Sequence, residues 1–90
     1  MKAIRWTSHA LDNLADREID RSEAEQAVTH PELVRPGQPG RQVFMRRYFD
    51  RPLGREMLLR VIIEETEAEL VIVTAYKTSQ VDKYLRGAGR

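Results

Sequence analysis

Cysteine is absent from this chain of 90 residues, which excludes a disulfide framework and any thiolate metal site. Histidine is scarce. His9 and His30 are too far apart for the paired spacing of a zinc-binding helix, so the sequence predicts no metal and no cofactor. Long apolar runs are missing too. Nothing approaches the ~20 residues of a membrane span, and the N-terminus lacks the apolar core of a signal peptide. The expectation is a cytoplasmic protein without a membrane partner. Its length predicts one domain, 1–90, near the small end of what folds without staples.

Net charge is only +1, but this hides an uneven distribution. Residues 1–34 carry four Lys/Arg against seven Asp/Glu, residues 35–60 seven Arg against Asp50 and Glu56, and residues 61–90 four basic against five acidic. The middle segment is therefore basic, and all of its cations are Arg. Guanidinium binds phosphate in a planar, bidentate fashion, so such a patch points to nucleic acid or another phosphorylated partner. Arg also outnumbers Lys twelve to three over the whole chain, and a general preference for Arg explains the patch equally well.

Periodicity supplies the elements. Lys2 to Trp6 reads as extended, and Thr7-Ser8 offers an N-cap for a helix with Ala10, Leu11, Leu14 and Ala15 along one face. Asp20 with Glu23 makes a capping box, flanked by Ile19 and Ala24 at the staple positions. The second helix has Ala24, Ala27 and Val28 on its apolar stripe and stops at His30-Pro31, where His30 acts as a C-terminal cap. Leu33-Val34 reads as a short edge strand. Residues 42–49 alternate, with Val43, Met45 and Phe49 on one side and Gln42, Phe44, Arg46 and Tyr48 on the other. Arg51-Pro52-Leu53-Gly54 reads as a hairpin turn, followed by strands Met57 to Ile63 and Glu69 to Lys77. Ser79 with Asp82 starts a last helix carrying Val81, Tyr84 and Leu85 and ending at Gly87. The predicted class is α+β, with two N-terminal helices, a three- to four-stranded antiparallel sheet and a C-terminal helix.

The two sheet faces differ. Met57, Leu59, Val61, Ile63, Val71, Val73 and Ala75 form a nearly all-apolar set that the three helices are expected to cover. Arg46, Tyr48, Leu58, Arg60, Ile62, Ile72, Thr74 and Tyr76 form a mixed set, and a half-wet sheet face of this makeup is a candidate binding surface. Hydroxyls and an amine gather where the last strand ends, at Thr74, Tyr76, Lys77, Thr78 and Ser79. The residues read either as a strand surfacing into a turn or as part of a site. Arg60 interrupts an aliphatic strand. It needs either a carboxylate partner such as Glu56 or Glu64, or an anion to clamp. His9, opposite the first helix's apolar stripe, is either an ordinary surface imidazole or a neutral base near a helix N-terminus. Metal-free phosphodiester cleavage needs a base for the attacking hydroxyl, cations for the phosphorane and an acid for the leaving oxygen, tasks that His, Arg, Lys, Tyr and Thr cover.

Two stretches carry a resemblance. Trp6-Thr7-Ser8-His9-Ala10 with Leu14, Arg17 and Ile19, and then His30-Pro31, resembles the opening of a small bacterial family of unknown function. Its pattern is aromatic-[ST]-x-His-Ala-x-x-Arg-Met-x-x-Arg-x-Ile. Val73-Thr74-Ala75-Tyr76 is similar to its final strand. That family is grouped with BrnT and RelE-like toxins and, more distantly, with the barnase/EndoU/colicin/RelE ribonuclease fold. The resemblance implies a RelE-like fold and a metal-independent RNA endonuclease neutralised by an antitoxin protein. Position by position it points to His9, Arg17, Arg60, Thr74 and Tyr76. Taken with the face reading, His9, Arg60, Thr74 and Tyr76 are the expected catalytic residues, and Arg17, Arg46, Tyr48 and Lys77 the expected substrate-binding ones. Asn13 departs from the pattern by standing where the family has Arg, which leaves open a non-catalytic RNA- or protein-binding domain. A third reading is a homodimer in which a second copy covers Tyr48, Ile62 and Ile72.

Overall fold

The structure is a computed structural model that describes residues 2–85. Its elements follow in the order β1 (Ala3–Trp6), α1 (Ser8–Asp16), α2 (Arg21–Thr29), β2 (Leu33–Pro36), β3 (Arg41–Asp50), β4 (Arg55–Glu65), β5 (Glu69–Thr78) and α3 (Val81–Leu85). The class is α+β, as the periodicity predicts. The sheet, however, is five-stranded and mixed, in the order β1-β5-β4-β3-β2, with β1 parallel to β5 and the other pairs antiparallel.

Local chemistry explains the helix ends. The Thr7 hydroxyl accepts the Ala10 N–H at 3.1 Å and so caps α1. At the other end the Ile19 N–H donates to the Leu14 carbonyl and the Glu18 N–H to the Ala15 carbonyl. This pair closes a helix C-terminus that usually ends on glycine. Glu18 takes the left-handed position instead, at φ 53°. The expected box at Asp20 does not form: its side chain makes no capping bond, and only its carbonyl receives the Glu23 and Ala24 N–H groups. His30 does cap α2, its N–H bonded to the Gln26 carbonyl. Gly87, the expected end of the last helix, lies outside the described residues.

The main core lies between α1, α2 and one sheet face. Ala10, Leu14, Ile19, Ala24, Ala27 and Val28 pack there on Leu59, Val61, Ile63, Ile72 and Ala75. The small residues of α2 let its backbone approach the strands closely. Each buried Leu, Ile or Val contributes about 1.5–3 kcal/mol. Three expectations about the faces need correction. First, β5 carries a bulge: Ile63 pairs with Ile72 but Ile62 with Thr74, leaving Val73 as the extra residue. The bulge shifts parity, so Ile72 joins Ala75 under the helices while Val71 opposes Glu64. Second, Tyr48 pairs with Met57 and Arg46 with Leu59, so both belong to the helix-covered face and not to that of Arg60. Third, α3 packs on the opposite face, where Val81, Tyr84 and Leu85 meet Val43, Met45, Leu58 and Ile62. Tyr48 and Ile72 therefore do not share a surface with Ile62 for a second copy to cover.

Leu59 is 1% exposed in the middle of the main core. Leu59→Ala should cost about 2–5 kcal/mol. Phe49→Ser, at a side chain left 62% exposed, should stay within about 0.5 kcal/mol. Urea denaturation of both variants checks the layering, and equal midpoints would contradict it.

Candidate functional site

The cross-strand register writes out the second sheet face as rows. Arg35, Val43, Ile62 and Thr74 form one row, and Leu33, Met45, Arg60 and Tyr76 the next. Because α3 covers only the lower part, a groove of about 340 Å³ remains above it. Val43 and Ile62 make its floor, and Arg41, Arg60, Thr74, Tyr76 and the Gly37-Gln38 turn line its walls. In the β2–β3 connection the Gly37 N–H donates to the Arg41 carbonyl and the Arg41 N–H to the Gln38 carbonyl, with Gly40 at φ 82°, and this turn sets Arg41 in the groove wall.

Arg60 is held in a column of rings. Its guanidinium carbon sits 4.0 Å from the Tyr84 ring centroid and 5.2 Å from that of Tyr76, and Nη1 donates to the Tyr76 hydroxyl. Such stacking orients the guanidinium without consuming its charge. No carboxylate lies within ion-pair distance of Arg35, Arg41 or Arg60 among the described residues. The Nε atoms of Arg35 and Arg60 are moreover buried without a hydrogen-bond partner. Buried donors in native proteins are nearly always satisfied, so two such donors on one sheet face make that face a candidate for contact with an external acceptor. Sequence reasoning missed Arg35 and Arg41 as site residues. The basic segment was visible, but only the register shows which of its arginines face the same way.

Thr74 links this groove to α1. Beyond Ile72, β1 no longer covers the edge of β5, and side chains take over. Thr7 Oγ1 donates to the Ile72 carbonyl at 2.7 Å, Asn13 Oδ1 accepts the Ala75 N–H at 3.3 Å, and Arg17 Nη1 donates to the Ala75 carbonyl at 2.7 Å. The Thr74 hydroxyl donates to the same Asn13 oxygen. Asn13 is accordingly buried, 6% exposed, where the stripe of Leu11 and Ala15 was expected to turn inward and does not. His9 is exposed. At 100° per residue it lies roughly 40° from Asn13 around α1 and one turn away, beside the buried face rather than opposite it.

The four expected substrate-binding residues are engaged elsewhere. Arg17 holds the β5 edge. Arg46 donates to the His30 carbonyl at 2.8 Å and so ties β3 to the end of α2. Tyr48 and Lys77 meet at Asp50, whose Oδ2 accepts the Tyr48 hydroxyl and Lys77 Nζ, both at 2.7 Å. Asp50 Oδ1 accepts the Leu53 N–H and shapes the hairpin turn, while Lys77 also reaches the Glu18 carbonyl at 3.2 Å. Burial alone pushes the Asp50 carboxyl up, but the bonds from Lys77, Tyr48 and Leu53 outweigh it and hold the group below the usual carboxylate range. Burial, followed by the bond to Asp50, pushes the Tyr48 phenol well up. A larger hollow of about 580 Å³ lies beside this network, but Glu18, Asp20 and Glu23 at its rim repel phosphate.

The fold and groove together define a small α+β domain with a cationic, partly aromatic cleft on the sheet face away from its first two helices. The chain belongs to a family described as a domain of unknown function (DUF4258), whose match covers residues 6–77. That span includes α1, Arg35 and the groove lining of Arg41, Arg60, Thr74 and Tyr76. No curated protein and no solved structure matches the chain. No helix among the described residues is long and apolar enough to cross a membrane.

The Asp50 network predicts acid sensitivity. Its lowered native value means its contribution is fully present above the unfolded-state carboxylate pKa and is lost as pH falls through the native value. Lys77→Met leaves the carboxylate buried without its cation and should cost about 3–5 kcal/mol at pH 7. It should also flatten the acid-side fall in stability. Urea titrations between pH 3 and pH 7 on both proteins measure this, and an unchanged pH profile would show that the pair contributes nothing.

Proposed function

We propose that the groove binds the phosphodiester backbone of RNA and that the domain is a metal-independent RNA endonuclease of the RelE/BrnT type, held in check by an antitoxin protein. The observation that carries the binding part is that Arg41 and Arg60 line one groove, with Arg35 in the row of Val43, Ile62 and Thr74 on the same sheet face, and that none of the three has a carboxylate within ion-pair distance among the described residues. The two buried Nε donors without a partner support this reading, since an anion supplies the acceptors they can use. The cleavage part rests on the sequence resemblance in α1 and the last strand, and so does the RelE-like assignment of the fold.

In this reading Arg60 and its neighbours grip a phosphate and stabilise the phosphorane as it forms. The ribose 2′-oxygen attacks phosphorus, its proton passes to a base, the role that the sequence resemblance alone gives to His9 on α1, and the bond to the 5′-oxygen breaks. The products are a 2′,3′-cyclic phosphate and a free 5′-hydroxyl. Tyr76 suits the acid step, because its oxygen accepts from Arg60 while its own hydrogen stays available for the leaving oxygen. One observation favours a second reading, binding without cleavage. Asn13, standing where the resembled family has Arg, is committed to Thr74 and Ala75 and offers no charge to the site.

Single-turnover cleavage of a structured RNA separates the two readings. Cleavage should survive EDTA, and His9→Gln should slow it by roughly 10²–10⁴. Arg60→Gln should slow it comparably, with circular dichroism unchanged. Equal rates in all three proteins would end the proposed mechanism, and RNA bound but never cut would establish the second reading. Binding itself should weaken steeply with salt. Arg35→Ala should reduce the salt slope by about one, whereas Arg46→Ala, on the other face, should leave it unchanged. Absence of RNA binding at low salt would overturn both readings.

A further inference from the structure

Hydrogen-bond polarity in the groove supplies a further assignment, which rests on the RNA-binding reading above. The atom of Asn13 that faces β5 receives the Ala75 backbone N–H, a group that can only donate. That atom must therefore be the amide oxygen, and an amide oxygen can only accept. The Thr74 hydroxyl bonded to the same oxygen must then be the donor. A threonine hydroxyl has one hydrogen, so Thr74 has spent it on Asn13 and has only lone pairs left to offer a ligand in the groove it lines.

The surrounding groups have the opposite polarity. Arg41 and Arg60 in the groove, and Arg35 in the row of Thr74, can only donate, and Tyr76, whose oxygen accepts from Arg60, keeps a hydrogen to give. The Gln38 amide carries both kinds of atom at the rim. Phosphate oxygens accept and so suit every cation in the groove, but they are repelled by a hydroxyl that offers only lone pairs. Thr74 needs a donor on the ligand, and along a nucleic-acid backbone the group that donates is the ribose 2′-hydroxyl. We propose that Thr74, fixed as an acceptor by Asn13, reads the 2′-hydroxyl of a nucleotide flanking the cleaved one and makes the groove select RNA over DNA. Thr74 is then a specificity-determining residue and Asn13 its positioning residue.

The test compares fluorescein-labelled 12-mers of oligouridylate and oligodeoxyuridylate by anisotropy at one low salt concentration. All proteins carry His9→Gln, and gels confirm that the probes stay intact. The parent should prefer the ribo probe by roughly 3–10-fold, the worth of one hydrogen bond. Thr74→Val, which keeps the shape and removes the acceptor, should bring the ribo affinity down to the deoxyribo value. Thr74→Ser should retain the preference. Asn13→Asp, which still offers an acceptor oxygen to Thr74, should retain it too, whereas Asn13→Ala, which frees the hydroxyl to rotate, should reduce it. Equal binding of both probes by the parent, or an undiminished preference in Thr74→Val, overturns the assignment and leaves phosphate binding by the arginines standing. Binding of neither probe overturns the RNA reading and this inference with it.

Discussion

The unpaired edge of β5 is the constraint on which the rest of the molecule depends. β1 covers that strand only through Ile72, and a bulge at Val73 then bends it away. An exposed row of backbone donors and acceptors would be costly in the interior and adhesive at the surface. Thr7, Asn13 and Arg17 solve the problem from a helix, each spending a side-chain group on a β5 backbone group. Those three bonds set the position of α1. They also bury an asparagine among apolar residues and bring a polar corner of the helix next to Thr74. Packing of the core and definition of the groove wall thus follow from one edge.

A second network fixes the opposite end. Asp50 anchors the β3–β4 turn, Lys77 carries its charge from β5, and the Glu18 carbonyl brings in the α1–α2 turn. A buried carboxylate–ammonium pair adds little net stability compared with apolar residues of the same volume, since desolvation offsets most of the attraction. What it fixes is geometry. Two chain turns and the end of a strand share one ionic centre, and Glu18 is retained in a left-handed conformation that glycine would adopt more easily. Both Lys77 and Tyr48 are therefore occupied with architecture, which is why two groups that looked like ligands for a phosphate do not face one.

Much of this was legible in the sequence, and the failures have a common cause. The helix starts, the stop of α2 at His30, the edge strand and the apolar set Leu59, Val61 and Ile63 follow from local pattern, because capping and periodicity act within a few residues. The convergence of Arg60, Thr74 and Tyr76 was legible for the same reason, except that the bulge had to fall before Thr74 for it to hold. Relations between strands were not. Alternation within β3 separates Val43 and Met45 from Phe44 and Tyr48, but no local signal says which set shares a face with Arg60 across β4. Arg46 and Tyr48 were misplaced on that account, and Arg35 and Arg41 overlooked. Asn13 left a faint signal: it falls between Ala10 and Leu14 on the helical wheel, and a polar residue there asks for a buried partner. Nothing local marks the parallel pairing of β1 or the side on which α3 docks.

That parallel pairing has a consequence for how the chain comes into being. Thr7 finds its acceptor at Ile72, 65 positions further on, and Asn13 reaches Ala75 across 62. Contacts of such separation carry a large loop-closure cost and form slowly, whereas β3, β4 and β5 are joined by tight turns and zip locally. During synthesis the first strand and first helix leave the ribosome with nothing to pair against, and they stay so until almost the last strand has emerged. Within this fold the earlier-made β1 and α1 wait for β5, and a nascent chain interrupted before residue 72 carries α1 with its polar edge partners still unmade.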